Sequence, residues 1–244
     1  MVVAPPASKT LADAAYRRIR EDIISGELKP SEKLKFATMV TRYEFGVSPL
    51  REALARLSSD HLVTVEGQRG FTVAPANREE LLDVSRVRQL VEGEAIALSV
   101  ENGTIDWEAG IVAAFFRLQR AEEQRHDDSM AWVQEWEKCN NVFHAALISQ
   151  CASVWLLRLQ ELLYAQHKRY RFISLRHPSA RRNLNAEHKA LMEACLNRDA
   201  ALARQLTVQH IENTANSVAA LLPSDISAGA ARGKAAKRKR EAAL

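Results

Sequence analysis

The chain has 244 residues, a formal net charge of +4 and 47% hydrophobic residues, with nine glycines and seven prolines. This composition supplies a packed core, excludes a globally disordered chain and favours helices. The sequence contains no run of roughly 18 apolar residues that would cross a membrane, no signal-peptide pattern at its start, and three cysteines without close pairing. We therefore expect a mostly α-helical cytoplasmic protein with no membrane partner.

The positive charge is unevenly distributed along the chain. Residues 223–244 contain six Lys or Arg and two Asp or Glu, residues 1–77 contain eleven against nine, and residues 78–222 contain seventeen against nineteen. The basic pI therefore comes from the tail, and only the N-terminal part favours a polyanionic partner. The tail consists of small and charged residues, so we expect a disordered basic segment there.

The first 77 residues have the pattern of a winged helix-turn-helix domain. Apolar residues recur at helical spacing over residues 11–25 and 36–43, and Ser48 is the expected N-cap of a third helix. Two short strand patterns follow, at residues 61–66 and 70–74. In such a fold the third helix suits the major groove of DNA and the wing suits the flanking phosphates.

Basic residues on the third helix and on the wing are the candidate DNA contacts. Arg51 and Arg56 lie away from the apolar face of that helix, and Gln68, Arg69 and Gly70 lie at the turn between the strands. The alternative is a helical scaffold whose charged residues are only solvated.

Residues 78–222 predict an all-α bundle behind this domain. Asn77 and Glu80 form a capping-box pattern that starts a long helix, and Arg88 lies on the otherwise apolar stripe of that helix. A buried guanidinium needs an anionic ligand or a neighbouring carboxylate, and both readings stay open. Five further helices are expected, at about residues 107–125, 129–150, 154–173, 180–197 and 200–222.

Three polar residues further along the chain indicate a cavity within the bundle. Asn213 and Ser217 share a helical stripe with His210, so the middle of that stripe is polar. Arg171 could bring a second cation to the same space, or it could lie in a solvated helix end.

Four residues on three helices form a candidate metal site. Asn140 and His144 are one helical turn apart, while His188 and His210 each lie on an apolar stripe of another helix. Three imidazoles and an amide oxygen that converge would bind a divalent metal such as zinc or nickel and leave room for a ligand. The alternative is three unrelated core histidines.

The order of these motifs resembles the GntR superfamily of transcriptional regulators, in particular the FadR subgroup with an FCD ligand-binding domain. The N-terminal resemblance depends on the sequence Ser-Pro-Leu-Arg-Glu-Ala-Leu at residues 48–54 and on Arg-Gly-Phe-Thr-Val at residues 69–73. The C-terminal resemblance depends on Arg-Gln-Leu-Val-Glu at residues 88–92 and on the Asn140, His144, His188 and His210 set. Within the subgroup the chain is most similar to the glutarate-sensing, carbon-starvation-induced repressor type, through residues 43–54 and 169–173.

The resemblance implies a homodimer that binds a palindromic double-stranded operator. Arg51 matches the DNA-contacting arginine of the family, and Lys35 and the wing residues 68–70 fall where relatives touch DNA. Ser48 and Arg56 complete the candidate DNA-contacting set. Many relatives have an arginine where this chain has Val47, so that contact is not expected here.

The resemblance also implies a repressor that a small organic acid releases from DNA. Asn140, His144, His188 and His210 would hold the metal, although the family's first ligand is an aspartate rather than an asparagine. Four further residues are the candidate effector contacts: Arg88, Arg171, Asn213 and Ser217.

Two other functions remain open at this stage. One is a metal-responsive regulator that needs no organic effector. The other is a metallo-hydrolase that uses the histidine cluster, although the sequence has no His-Glu-x-x-His motif and this reading leaves the DNA-binding domain unexplained.

Overall fold

The structure is a computed structural model that describes residues 10–65, 70–124, 129–175 and 184–222. The predicted wing contacts Gln68 and Arg69, and the tail at residues 223–244, lie outside the described residues.

The N-terminal part folds as three helices and a three-stranded antiparallel sheet. In chain order the elements are α1 (Leu11–Ser25), β1 (Lys33–Leu34), α2 (Phe36–Tyr43), α3 (Val47–Ser59), β2 (Val63–Val65) and β3 (Phe71–Val73). Strand β3 lies between β1 and β2, with Thr72 opposite both Lys33 and Thr64. Thr10 caps α1 by accepting a hydrogen bond from the Asp13 amide at 3.1 Å. This arrangement is a winged helix-turn-helix.

One apolar core holds these helices against the sheet. Each helix contributes the residues that its 3.6-residue period places on one face, and β2 and β3 close the core from the wing side. Among its fully buried members are Ala15, Ile19, Leu50, Leu54, Leu57, Leu62 and Val73.

Two local predictions in this domain are wrong. Helix α3 begins at Val47 and has Gly46 as its N-cap, so Ser48 lies in the first helical turn and does not cap it. Pro49 tolerates the third helical position because the first-turn amides have no intrahelical acceptor. Strand β1 was not predicted, because two residues are too short to produce an alternating pattern.

The C-terminal part is a bundle of six helices within the described residues. They are α4 (Arg78–Asn102), α5 (Ile105–Glu123), α6 (Met130–Leu147), α7 (Val154–Leu175), α8 (Leu184–Leu196) and α9 (Ala200–Ala219). Asn77 caps α4 as predicted, since its Oδ1 accepts a hydrogen bond from the Glu80 amide at 2.7 Å. Helix α4 packs along α9 and α7, α5 packs along α6, and α8 bridges α5 and α9. The predicted fold class is confirmed.

The two parts meet where α1 packs on α7. Ile24 of α1 forms a small apolar cluster with Ala165 and Phe172 of α7 and with Val133 of α6. None of the helices that the structure describes is long and apolar enough to cross a membrane.

Candidate functional site

Three histidines from three helices meet inside the bundle. The ring centroids of His144 (α6) and His188 (α8) are 5.3 Å apart, and that of His210 (α9) lies 5.1 Å from the first and 5.0 Å from the second. Each ring offers one nitrogen that lies within 4.8 Å of the nitrogens of the other two. The structure therefore brings together all three of the predicted histidine ligands.

These imidazoles are in an environment that favours the neutral form. Burial lowers the pKa of His144 well below its usual value, and the neighbouring His210 and His188 act in the same direction. Burial also lowers the pKa of His188, although the Glu122 carboxylate opposes that shift. Neutral imidazole is the form that binds a metal.

Two carboxylates lie behind the histidine rings. Nδ1 of His210 donates a hydrogen bond to Oε2 of Glu187 at 2.9 Å, and Oε1 of Glu122 lies 3.7 Å from Nδ1 of His188. Burial acts to raise the pKa of Glu122, but His188 and Asn185 outweigh it and lower that pKa overall. Carboxylates placed in this way orient imidazole rings toward a metal and raise their basicity.

Several ring nitrogens of the cluster lack a partner. Nε2 of His144 and both nitrogens of His188 are buried and make no hydrogen bond to any residue that the structure describes. Each such atom costs about 1–3 kcal/mol of stability when it is left unsatisfied. A divalent metal would bind one lone pair on each ring, and a set of neutral imidazoles suits zinc or nickel. The residues present therefore fit a metal ion.

Asn140, the fourth predicted ligand, is buried one turn before His144 on α6. Its Nδ2 donates a hydrogen bond to the hydroxyl of Tyr164 at 3.3 Å. The amide oxygen is the atom that would ligate a metal. With an asparagine in place of an aspartate, the four ligands would carry no negative charge.

Arg88 already has a carboxylate partner. Its Nε and Nη2 donate to the two carboxylate oxygens of Glu92, one turn further along α4, at 2.7 and 3.0 Å. Both side chains are buried, and the guanidinium also lies over the ring of Tyr164. Of the two readings left open by the sequence, the structure contains the neighbouring carboxylate. Three of the five N–H donors of a guanidinium remain after such a bidentate contact.

Arg171 is buried and does not lie in a solvated helix end. Its Nη2 donates to Oε1 of Glu137 at 2.6 Å and to the hydroxyl of Tyr164 at 2.7 Å. Since Tyr164 also contacts Arg88 and Asn140, it connects both arginines with the proposed metal ligands.

His167 and Glu137 were not predicted from the sequence. His167 is fully buried on α7, with Nδ1 3.4 Å from the hydroxyl of Ser85 and with Nε2 unpartnered among the described residues. Burial lowers its pKa well below the usual value, and Arg88 and Arg171 add to the shift. The spacing of Tyr164, His167 and Arg171, at i, i+3 and i+7 on one helix face, was the signal that could have found the first of them.

The polar stripe of α9 differs from the prediction. Asn213 and Ser217 are only half-buried, whereas Thr207 and Thr214 are buried on the same helix as His210. Asn213 accepts a hydrogen bond from Gln209 at 2.9 Å, and its carbonyl accepts one from Ser217. The buried face of α9 instead contains Ala203, Thr207, Ile211 and Ala215, and this helix packs along α4.

The candidate DNA-contacting residues have different environments. Lys35, Ser48 and Arg51 are exposed at the N-cap of α2 and on α3. Arg51 lies over the ring of Phe36, 4.9 Å from its centroid. Gly70 has a left-handed conformation (φ 93°) at the end of the wing, where a side chain would be strained.

Arg56 is held by α1. Its Nη1 donates to Oδ1 of Asp13 at 2.6 Å, and its guanidinium lies 4.4 Å from the ring centroid of Tyr16. These contacts turn Arg56 toward the domain's own first helix and favour a structural role over base contact.

A winged helix-turn-helix joined to a helical bundle with a buried polar centre is the architecture of a DNA-binding regulator. The sequence matches the bacterial regulatory proteins of the gntR family over residues 11–73 and the FCD domain over residues 83–213. The chain therefore belongs to the GntR family, in the group with a C-terminal FCD domain, and it is a transcriptional regulator rather than an enzyme.

Several relatives share most of their length with this chain. The HTH-type transcriptional regulator BphR of Paraburkholderia xenovorans is 37% identical over 206 residues, which are 84% of each chain. The HTH-type transcriptional repressor GlaR of Escherichia coli is 37% identical over 200 residues, which are 80% of this chain and 90% of GlaR. The resemblance to a FadR-subgroup regulator close to the carbon-starvation-induced type is confirmed.

Solved structures share the fold at lower identity. The E. coli protein McbR/YncC is 22% identical and superposes with a TM-score of 0.70, covering 86% of this chain and 98% of its own. A GntR regulator from Rhodococcus sp. RHA1 is 17% identical with a TM-score of 0.69, covering 85% and 96%.

Proposed function

We propose that the protein is a cytoplasmic repressor that binds a palindromic operator as a homodimer and is released by glutarate or a related small diacid. Residues 1–77 would form the DNA-binding domain and residues 78–222 the effector domain. The observation that supports this most is the buried histidine cluster beside Arg88 and Arg171, inside a bundle attached to a winged helix-turn-helix. The name of GlaR as a repressor supports the direction of the response.

The exposed end of the recognition helix supports the DNA-binding role. Arg51 would read a base edge, and a good bidentate contact to guanine provides about 1–3 kcal/mol of discrimination. Lys35 and Arg69 would contact phosphates, which contribute affinity but no sequence preference. In a symmetric dimer, two recognition helices would enter successive major grooves about one helical turn apart.

The histidine cluster supports a metal as part of the effector site. His144, His188 and His210 would hold it, with Asn140 as a neutral fourth ligand, and Glu187 and Glu122 would orient the rings. When bound, the metal supplies a cationic centre with open positions for a carboxylate. Because all four ligands are neutral, they leave that positive charge available to an anion.

The two arginines support a diacid in particular. Arg88 and Arg171 are each neutralised by an internal carboxylate, Glu92 and Glu137, so the pocket tolerates both cations before the effector arrives. The N–H donors of Arg88 that do not bind Glu92 would bind a carboxylate, and Tyr164, His167 and Arg171 would line the same space. Asn213 and Ser217 would contribute only at the half-exposed edge.

Regulation requires that the effector bind one arrangement of the domains more tightly than the other. An effector with equal affinity for both arrangements would not change the occupancy of the operator.

Calorimetric titration of zinc-loaded protein with succinate, glutarate and adipate tests the proposal. We expect saturable binding of at least one diacid and weaker binding to operator DNA in its presence. Absence of heat with all three, together with unchanged operator affinity, would contradict the role as a carboxylate sensor.

A metal-responsive regulator without an organic effector is the second candidate, and the fit of the histidine cluster to a metal favours it. It predicts that zinc alone changes operator affinity by as much as zinc with diacid does. A titration of metal-free protein on operator DNA distinguishes the two functions.

A further inference from the structure

Helix α7 presents opposite faces to the two domains. Tyr164, His167 and Arg171 lie within about 60° of arc around its axis, and Arg169 lies about 170° from the middle of that arc. The first face borders the proposed effector site, where Arg171 bonds Glu137 and Tyr164 lies under Arg88. The second face contacts the DNA-binding domain.

Arg169 holds the segment that joins the domains. Its Nη1 donates to the carbonyl of Ala74 at 3.3 Å, and its Nη2 donates to the carbonyl of Pro75 at 3.2 Å and to Oε2 of Glu80 at 3.0 Å. The Arg169 side chain is only 5% exposed. One guanidinium therefore fixes the chain that follows β3 and the first turn of α4.

Gln166, one turn earlier, contacts the recognition helix itself. Its Nε2 donates to the carbonyl of Asp60, which is the C-cap of α3. The carboxylate of Asp60 also accepts a hydrogen bond from the hydroxyl of Tyr16 on α1, at 2.5 Å. A displacement of α7 would therefore act directly on the end of the helix that reads DNA.

The packing around these contacts leaves room for movement. A cavity of about 220 Å³ lies between the domains beside Arg169 and Phe172, and Ile23 and Pro30 line its other side. A second cavity of about 210 Å³ lies beside Gln166, with lining residues from both domains. Both cavities are partly open to solvent, and a joint with solvent-filled clefts and polar contacts moves more easily than a close-packed interior.

We propose that Arg169, together with Gln166, is the positioning residue that couples occupancy of the effector site to the orientation of the DNA-binding domain. This inference rests on the proposed function. An effector that engages Tyr164, His167 or Arg171 shifts α7, and the opposite face transmits the shift to the linker and to α3.

The test compares operator affinity with and without saturating diacid, using zinc-loaded full-length protein, an operator selected by the wild type, and succinate, glutarate and adipate. We expect the wild-type ratio of the two affinities to lie within about 5–150-fold. Arg169→Gln should bring it to within about twofold of unity, while the calorimetric Kd for the diacid changes by less than about threefold. Arg169→Lys should restore part of the ratio. Arg120→Gln, which removes an exposed ion pair with Glu123, is the matched control.

An unchanged ratio in Arg169→Gln overturns the inference, and so does a diacid Kd weakened more than about tenfold, because Arg169 would then belong to the binding site. Should Arg169→Gln fail to fold, two other variants test the same contacts. Glu80→Gln removes the carboxylate that Arg169 binds, and Gln166→Met removes the contact with Asp60. Each should likewise bring the ratio of the two affinities close to unity. A wild-type protein that binds its operator but does not respond to any diacid overturns the proposed function. This outcome is measured on the wild type alone, so it is distinguishable from failure of the inference about Arg169.

Discussion

Nη2 of Arg171 donates a hydrogen bond to Oε1 of Glu137 at 2.6 Å, with both side chains enclosed in the bundle. Burying one such charge alone is far costlier than burying the pair. The pair therefore lets a cation occupy the interior beside the histidine cluster.

Replacement of Glu137 by Gln should destabilise the metal-free protein by about 3–5 kcal/mol, because Arg171 would keep its charge without its carboxylate. Urea unfolding measures this change. Glu135→Gln, an exposed carboxylate one helical turn before Cys139, should change the free energy of unfolding by less than about 0.5 kcal/mol. Equal stability of the two variants would contradict a buried ionic pair.

Replacement of His188 by Gln should weaken zinc binding by more than the roughly 10–100-fold that the loss of an outer-shell partner costs. The reason is that His188 is one of the three clustered histidines and both of its nitrogens are buried. Competition with a chelating dye measures the Kd. His61→Asn is the control, since Asn accepts the left-handed backbone found at this exposed position. Wild-type zinc affinity in the His188 variant would exclude a metal at the cluster.

Replacement of Glu187 by Gln tests the outer carboxylate separately. Glu187 accepts the hydrogen bond from Nδ1 of His210, so its loss should weaken zinc binding by about 10–100-fold while stoichiometry stays the same. Glu193→Gln, an exposed residue on the same helix, should leave zinc affinity unchanged. The same dye competition measures the zinc Kd of both variants. An unaltered zinc Kd for Glu187→Gln would show that Glu187 does not support the metal site.

The metal-free protein should lose stability as the pH falls from about 7.5 to about 5.5. Burial lowers the pKa of His144, His167 and His188 in the folded chain, while the unfolded chain returns each pKa to about 6.5. Below that pH the unfolded state binds more protons, so the free energy of unfolding falls by up to about 1.4 kcal/mol per pH unit for each histidine.

Urea unfolding in the presence of a chelator measures this pH dependence. His167→Gln should remove the contribution of one histidine from the slope. A free energy of unfolding that is constant across this pH range would contradict three buried neutral imidazoles.

Replacement of Arg51 by Ala should reduce the preference for operator over random DNA by about 1–3 kcal/mol, because its side chain is exposed on the recognition helix, where it would contact a base edge. Arg56→Ala should retain that preference, since Asp13 and Tyr16 hold its side chain. Fluorescence anisotropy at one salt concentration measures both, because phosphate contacts make affinity depend on salt. A larger loss of preference in the Arg56 variant would reverse the two assignments.

Local patterns predicted much of this architecture. The N-cap pattern at Asn77 predicted the start of α4, and the periodicity of α1 and α2 predicted their bounds, because these signals depend only on neighbours within a turn or two. The start of α3 was missed because Gly46 and Ser48 are both acceptable N-caps, and the choice between them depends on how the helix packs.

The motifs in the sequence indicated the class of protein by themselves. A helical period was also enough to place Asn140 beside His144, and to show that His188 and His210 are polar residues on apolar stripes. Only the tertiary structure decided which partners the other buried polar side chains have. The pairing of Arg171 with Glu137, the burial of His167, and the contact of Arg169 with the linker depend on the rotation and packing of whole helices. Arg171 lies 34 positions from Glu137, and Arg169 lies 94 positions from Pro75 in the linker. No local pattern encodes such separations.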